Sequence, residues 1–170
     1  TTGGHAPVFV APKKLQGARV DLAISSAQVK SAVLLAGISA DGETTVSEPV
    51  KSRDHTERML LAMQANIKVN GNEVTVKRSE LKSLSLCVPS DISSASYFMA
   101  LGALKGETLC KNVGINPTRT GILQAFDKLG VHYELLNKRV SGGEETADIL
   151  VEKSDMHGIE LLEKDIPSMI

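Results

Sequence analysis

The chain has 170 residues and a mass of 18.1 kDa, and 42% of its residues are hydrophobic, which is enough for one ordinary core or two small ones. The net charge is -1 and aromatic residues make up 3%, a composition that disfavours a nucleic-acid surface because such a surface needs a basic stripe or stacking rings. The longest apolar run, 32–36, is too short to span a membrane, and no signal-peptide pattern precedes it, so we predict a soluble, cytoplasmic protein.

The first 88 residues are predicted to form one unit of strands and helices. Its elements are a strand over 18–22, a helix opened by Ser25-Ser26, a strand over 44–46, a helix opened by Asp54, and strands over 66–69 and 73–77. The serines are good N-capping residues, and Asp54 has capping-box spacing to Glu57. Asn70-Gly71 is typical of a short hairpin turn. The predicted order is therefore βαβαββ.

The same order is predicted a second time. The elements are a strand over 84–88, a helix opened by Ser93-Ser94, a strand over 108–110, a helix starting near Thr118, and strands over 131–136 and 148–152, the last two joined by a longer connection through 141–143. The serine pair recurs 68 positions after Ser25-Ser26, and Gly42-Glu43-Thr44 recurs 64 positions later. An internal repeat of this size indicates an architecture of repeated units.

The C-terminal residues begin the pattern once more. We predict a strand over 159–162, and the next helix should begin at 166–170, where the chain ends. A strand without its covering helix leaves apolar surface bare, so we expect the chain to be part of a longer protein. The predicted fold class is α/β (α+β), with two complete βαβαββ units plus the start of a third.

Polar residues gather at the helix starts of the first unit. Ser26, Gln28 and Lys30 lie in or near the first turn of its first helix, and Arg53 precedes its second helix. Helix N-termini favour anions, and a guanidinium with hydroxyl and amide groups suits a cyclic polyol phosphate. The second unit lacks these groups, having Ala95-Ser96 and Pro117 instead.

A purely structural interpretation of these residues also stands. In it Ser26 is only an N-cap, Gln28 is a solvated helix residue, and Arg53 pairs with Asp54 or Glu57. By the same reasoning Asn116–Thr120 provides turn and capping residues, Arg119 packs along its own helix, and 142–145 forms a solvated loop.

No metal site or cofactor is predicted from the titratable residues. His55 is interpreted as a structural histidine, and the other three histidines have no partners at metal-ligand spacing. Cys87 and Cys110 lack motif spacing and are predicted to be buried thiols.

Four stretches of the chain carry a family resemblance. They are Ser26–Gly37, Ser52–Leu60, Asp91–Ala95 and Asn116–Gly121. In order and spacing these stretches resemble signature sequences of the 5-enolpyruvylshikimate-3-phosphate synthase family, almost from end to end of the chain.

The resemblance implies the enolpyruvyl transferase fold, an inside-out α/β barrel of βαβαββ units in two domains. It also implies transfer of the enolpyruvyl group from phosphoenolpyruvate to the 5-hydroxyl of shikimate 3-phosphate, in the shikimate pathway toward chorismate and aromatic amino acids. By position, Ser26 and Gln28 resemble shikimate-3-phosphate ligands, Gln28 also lies near phosphoenolpyruvate, and Arg53 resembles a ligand of the substrate phosphate. Ala27 occupies a position where some members have a second serine.

The resemblance further implies that the catalytic residues lie outside these 170 residues, so we expect no turnover from this segment alone. It divides the chain into 1–88 in the first domain, an interdomain crossing at 89–91, and 92–170 in the second domain. The implied partners are small-molecule substrates, with no nucleic acid and no membrane, and the parent protein is expected to be monomeric.

Two alternatives remain open. The sister enzyme that transfers enolpyruvyl to UDP-N-acetylglucosamine shares the fold and the donor, although the sequence of 52–56 favours the shikimate enzyme. A non-catalytic repeat module is an alternative of a different class, but it would not gather polar residues at the helix starts of one unit.

Overall fold

The first unit forms a four-stranded sheet covered by two helices, in a computed structural model that describes residues 3–162 and 168–169. Its elements are β1 (Arg19–Asp21), α1 (Ala27–Gly37), β2 (Glu43–Ser47), α2 (His55–Ala62), β3 (Ile67–Asn70) and β4 (Glu73–Lys77). The strand order is β1-β2-β4-β3, with β1 and β2 parallel and the other pairs antiparallel. The predicted βαβαββ unit is confirmed here.

Helix α1 packs closely onto this sheet because of Gly37. Its buried residues are Lys30, Leu34 and Gly37, which share one face of the helix. A Cβ atom at Gly37 would lie 2.6 Å from Val76 Cγ2 and 2.7 Å from Thr44 Cβ, so only glycine allows this approach. The apolar face of the helix therefore meets β2 and β4 directly.

The second unit contains α3 (Ile92–Lys105), β5 (Thr108–Gly114), α4 (Gly121–Leu129), β6 (Tyr133–Ser141) and β7 (Glu144–Val151). These strands form an antiparallel sheet in the order β5-β7-β6. Among the described residues, Ser90, outside these strands, forms a single parallel bridge with Val113 of β5.

The predicted opening strand of the second unit, 84–88, is wrong. Its backbone makes a different contact, since the Cys87 amide donates to Ser141 Oγ at 3.0 Å. Its leucines face the β6–β7 turn, where a Cβ at Gly142 would meet Leu86 Cδ2 at 3.0 Å and Leu84 Cδ2 at 3.4 Å. Period-two alternation is present in this segment, but the side chains are used against a turn and not within a sheet.

Both predicted helix starts in the second unit are shifted. Asp91, not the serine pair, is the N-cap of α3, because its carboxylate accepts the amide hydrogens of Ser93 and Ser94. Helix α4 begins at Gly121 and not near Thr118, because Thr118 is held in a turn by the Asn116 side chain. That turn is the local structure predicted for this stretch.

The β6–β7 hairpin is longer and tighter than predicted. Its two-residue turn, Gly142-Gly143, has φ values of 62° and 83°, which glycine adopts without strain. The predicted long, solvated connection is therefore wrong. The turn lies against the first unit, since a Cβ at Gly143 would be 2.9 Å from the Arg58 carbonyl oxygen.

The buried apolar residues form two separate cores. One lies in the first unit and consists of Leu34, Val46, Leu60, Val74 and Val76. The other lies in the second unit and includes Ile92, Met99, Val113, Leu123, Phe126, Val131, Ile149 and Val151. One face of α3 stays exposed, and it carries Tyr97, Phe98, Leu101 and Leu104.

Three further predictions concern the C-terminal residues, the cysteines and membrane-spanning helices. The predicted strand over 159–162 is not formed, and 166–170 falls outside the described residues apart from 168–169. Cys87 is exposed and Cys110 half-buried, both as free thiols, so the prediction of two buried thiols is wrong for Cys87. Within the described ranges, no helix has the length and apolar character needed to cross a membrane.

Candidate functional site

The four residues predicted to bind substrate, Ser26, Ala27, Gln28 and Arg53, line one cleft of about 510 Å³. The cleft lies between the N-terminus of α1 and the loop that connects β2 to α2. Its complete lining is Ala23, Ile24, Ser25, Ser26, Ala27, Gln28, Pro49, Val50, Lys51, Ser52 and Arg53. The structure thus brings together residues that are 25 or more positions apart in the sequence.

The α1 side of the cleft is a capped helix N-terminus. Ser26 is the N-cap, and its Oγ accepts the Val29 amide hydrogen at 3.4 Å. The first amide groups of a helix have no partner within the helix, so they are available to a ligand, and the helix dipole favours an anion there. Gln28 is exposed at the rim of the cleft.

Ser25 ties the two sides of the cleft together. Its Oγ accepts the Val50 amide hydrogen at 3.0 Å and donates to the Val50 carbonyl oxygen. The two serines of the predicted capping pair therefore have different roles, since Ser26 caps α1 and Ser25 binds the loop opposite. No local pattern predicts this contact, which spans 25 residues.

Arg53 lies half-buried on the opposite side of the cleft with an uncommitted guanidinium. Within the described part of the chain it makes no hydrogen bond or ion pair. The structural alternative, pairing with Asp54 or Glu57, is wrong, since neither carboxylate forms an ion pair with Arg53 among the described residues. Their partners include Arg58 Nε, at 2.8 Å from Asp54, and Lys30 Nζ, at 2.7 Å from Glu57. Arg53 also lines two adjoining clefts, so it stands where three concave surfaces meet.

The charge of the cleft is positive. Lys51 and Arg53 line it, and none of the described lining residues is acidic. The nearest carboxylate in the sequence, Asp54, is engaged by Arg58, Lys51 and Asn116. An anionic ligand with groups for hydrogen bonding fits this arrangement.

A buried ion triad lies beneath the two sides of the cleft. Lys30 Nζ is 2.8 Å from Glu48 Oε1 and 2.7 Å from Glu57 Oε1, and all three side chains are at most 4% exposed. Burial raises the pKa of the Glu48 carboxyl, but hydrogen bonds from Lys30 and Ser52 outweigh it and hold that pKa below its ordinary value. Lys30 is therefore structural and not a group offered to a ligand.

One feature of the sequence does indicate a buried ion pair here. Lys30 is four residues before Leu34, on the apolar face of α1, where a lysine is unusual unless it is paired. The capping-box interpretation of Glu57 is wrong for the same reason. Its carboxylate is turned to Lys30, and Asp54 makes no side-chain capping bond.

A second polar cluster joins the two units. Asn116, only 1% exposed, donates from Nδ2 to Asp54 Oδ1 at 2.8 Å and to Glu144 Oε2 at 3.1 Å. His55 Nδ1 is 2.8 Å from Glu144 Oε1, which fits the structural histidine that was predicted. This cluster borders a cleft of about 330 Å³ between the units.

Arg119 contacts the start of another helix. Its Nη2 donates to Ser93 Oγ and to Asp91 Oδ1 at the start of α3, a long-range contact that was not predicted. At the position equivalent to Gln28, Ser96 donates to the Ser93 carbonyl oxygen of its own helix. The second unit thus uses its helix start for internal contacts, in keeping with the predicted asymmetry.

Among the described residues, no group of three histidine, cysteine, aspartate or glutamate side chains could hold a metal ion.

Comparison with known proteins identifies the family of the chain. The sequence profile of the family described as EPSP synthase (3-phosphoshikimate 1-carboxyvinyltransferase) matches residues 1–170. A 3-phosphoshikimate 1-carboxyvinyltransferase from Anaeromyxobacter sp. (strain Fw109-5) is 48% identical over 166 residues, which are 96% of this chain and 39% of the relative. One of the same name from Desulfitobacterium hafniense (strain DSM 10664 / DCB-2) is 45% identical over 171 residues, covering 99% of this chain and 39% of the relative. The chain thus spans about two fifths of the length of these relatives.

The structure leads to the same family. The EPSP synthase from Acinetobacter baumannii superposes with a TM-score of 0.84 and 43% sequence identity, over 91% of this chain and 36% of that one. The chain has the inside-out α/β fold of these structures, as the family resemblance implied. It belongs to the EPSP synthase family.

Proposed function

We propose that the full-length protein containing this chain transfers the enolpyruvyl group of phosphoenolpyruvate to the 5-hydroxyl of shikimate 3-phosphate. The products are 5-enolpyruvylshikimate 3-phosphate and phosphate. Relatives that share 48% and 45% identity are named 3-phosphoshikimate 1-carboxyvinyltransferase, which supports this reaction. Because the chain spans 39% of these relatives, we expect it to supply part of the substrate site and no turnover when isolated.

The observation that carries the proposal is the free guanidinium of Arg53, opposite a helix N-terminus in a basic cleft. An arginine with no partner of its own is ready to bind a phosphate through two parallel hydrogen bonds. We assign Arg53 to the phosphate of shikimate 3-phosphate, and the Ser26 hydroxyl and the Gln28 amide to the polar groups of the same substrate. Ala27 adds a small, apolar contact to the lining.

These contacts orient the substrate. Transfer proceeds by addition of the 5-hydroxyl to phosphoenolpyruvate, followed by elimination of phosphate from a tetrahedral intermediate. A cyclic acceptor fixed at its phosphate and at its ring hydroxyls presents one hydroxyl in a defined direction, which lowers the entropic part of the barrier. The groups that move protons are expected outside this segment.

We also propose that the chain divides between two domains, with 1–88 in the first, the crossing at 89–91, and 92–170 in the second. Two separate cores support this division, since all members of one precede the crossing and all members of the other follow it. The polar cluster around Asn116 lies where the two meet. The site is expected to close around its substrates and to exclude water.

The sister reaction, on UDP-N-acetylglucosamine, is the second candidate. The names of the relatives favour the shikimate enzyme, and the positive cleft suits a compact phosphate ester. A non-catalytic module is disfavoured by the unpaired Arg53. We propose a cytoplasmic, monomeric enzyme that uses small-molecule substrates and needs neither a cofactor nor nucleic acid.

Release of phosphate tests the reaction. The full-length protein is expected to release phosphate only when phosphoenolpyruvate and shikimate 3-phosphate are both present, and not when UDP-N-acetylglucosamine replaces the latter. Arg53→Ala should lower kcat/KM for shikimate 3-phosphate by about 10- to 100-fold, since a hydrogen bond to a charged group contributes about 1.5–3 kcal/mol. Arg78→Ala is the matched control, because Arg78 forms an exposed ion pair with Asp41. Release with UDP-N-acetylglucosamine alone as acceptor would reassign the protein to the sister reaction.

A further inference from the structure

We propose that Glu48, which is buried with Lys30 and Glu57 in an ion triad, positions Arg53 for the substrate phosphate through its bonds to Lys30 and Ser52. The inference rests on the proposed function, because it assigns a role toward the same substrate. Glu48 does not line the cleft, so it is a positioning residue and not a ligand.

The Glu48 carboxylate binds both the backbone and the side chain of Ser52, the residue before Arg53. Its Oε1 accepts the Ser52 amide hydrogen at 2.9 Å, and its Oε2 accepts the Ser52 hydroxyl hydrogen at 2.6 Å. These two bonds fix the peptide that leads into Arg53. A half-buried arginine without partners needs such an anchor, because its own side chain gives the loop no support.

Lys30 connects this anchor to the opposite side of the cleft. It lies on α1, two residues after Gln28 and four after Ser26, and its ammonium binds Glu48 at 2.8 Å. The helix that carries Ser26 and Gln28 is thereby joined to the loop that carries Arg53. This ion pair, whose members are 1% and 2% exposed, joins the two sides in addition to the Ser25–Val50 bonds.

Stability alone does not explain a buried triad at this place. Removing two carboxylates and an ammonium from water is costly, and apolar side chains of similar volume are often equally stable. In addition, Glu57 Oε2 is buried without a hydrogen-bond partner among the described residues. An incompletely satisfied network at the base of the cleft is better explained by the geometry that it imposes on the residues above it.

The two glutamates provide a matched pair of variants. Glu48→Gln and Glu57→Gln remove the same charge from the same triad at similar burial, but only Glu48 contacts Ser52. The side-chain amide group of a glutamine at position 48 would face one of the groups, on Lys30 or Ser52, that now donate to the carboxylate. We therefore expect Glu48→Gln to loosen Ser52 and Arg53, and Glu57→Gln to leave them in place.

Calorimetric titration of shikimate 3-phosphate tests the inference in the full-length protein. The proteins are the four forms of a double-mutant cycle of Glu48→Gln and Arg53→Ala, and Glu57→Gln as the control. Glu48→Gln is expected to raise Kd about tenfold and Glu57→Gln less than about twofold. In the Arg53→Ala background, Glu48→Gln should change Kd by less than about twofold, because the residue through which it acts is gone.

Each other result has a definite meaning. An equal effect of Glu48→Gln with and without Arg53 would show a general structural role and would overturn the inference, while the role of Arg53 stands. No effect of Arg53→Ala would instead overturn the proposed phosphate contact itself. If Glu48→Gln does not fold, Ser52→Ala takes its place in the cycle. Ser52→Thr keeps the hydroxyl and should therefore bind shikimate 3-phosphate with an affinity close to that of wild type. Weak binding by Ser52→Thr would contradict the inference.

Discussion

The ionised Asp54 carboxylate is expected to stabilise the chain by about 2 kcal/mol at neutral pH. Asp54 is 7% exposed and is bound by Arg58 Nε at 2.8 Å, Asn116 Nδ2 at 2.8 Å and Lys51 Nζ at 3.2 Å. Burial raises the pKa of this carboxyl, but the three donors outweigh burial and lower the pKa from 3.8 to about 2. A difference of about 1.8 in pKa between the unfolded and folded states corresponds to about 2 kcal/mol.

The sign of the pH dependence follows from the lowered pKa. Because the folded state holds its proton less tightly than the unfolded state, the stabilisation is fully present above about pH 4 and is lost as the pH falls toward about 2. Asp54→Asn removes the charge and nearly keeps the shape. At pH 7 we expect its melting temperature to fall by about 4–8 °C, given roughly 2–4 °C per kcal/mol for a chain of this size.

Circular dichroism melts of the 170-residue chain measure this effect. Asp21→Asn is the matched control, since Asp21 pairs with Arg19 on the exposed surface and should contribute less than about 1 kcal/mol. The difference between wild type and Asp54→Asn should shrink as the pH is lowered from about 5 to about 2. A melting temperature unchanged at pH 7, or a difference that does not vary with pH, would refute this reasoning.

Two other predictions concern packing and titration. Gly37→Ala is expected to destabilise the first unit by about 1–2 kcal/mol in urea unfolding, because its Cβ would lie 2.6 Å from Val76 Cγ2. Gly158→Ala is the control, since a Cβ there would have nothing within 4 Å. Equal stabilities of the two variants would contradict the close helix–sheet contact. Burial and the hydrogen bond to Asp127 raise the pKa of Tyr133 to about 12. In the Tyr97→Phe variant of the 170-residue chain, Tyr133 is the single tyrosine. Ultraviolet titration should therefore find its phenol protonated at about pH 11, and Asp127→Asn should lower its pKa. Half-ionisation near pH 10 would contradict this environment.

Local patterns predicted the β3–β4 hairpin of the first unit well because its two strands pair across a short turn. The turn after Asn70 and the alternation in β4 are local signals, and both are used as predicted. The segment 84–88 carries the same alternation, yet it lies beside the Gly142 turn without joining a sheet. Alternation shows that one face of a segment is apolar, but the partner that covers this face is determined by tertiary structure.

The candidate site divides in the same way between local and long-range information. Ser26, Gln28 and Arg53 were predicted from helix starts and from the family resemblance, and they do line one cleft. The contacts that build the cleft were not predictable, since the Lys30–Glu48 and Asp54–Asn116 pairs join residues 18 and 62 positions apart. A lysine on an apolar helix face indicates that a buried partner exists, but it does not identify that partner.

The Arg53 guanidinium is proposed to bind the phosphate of shikimate 3-phosphate. Calorimetric titration of the full-length protein with shikimate 3-phosphate, and separately with shikimate, tests it most directly. Wild type should bind the phosphorylated ligand much more tightly, and Arg53→Ala should lose about 10- to 100-fold in affinity for it while its affinity for shikimate hardly changes. Equal losses for the two ligands, or no loss for either, would contradict the assignment of Arg53 to the phosphate.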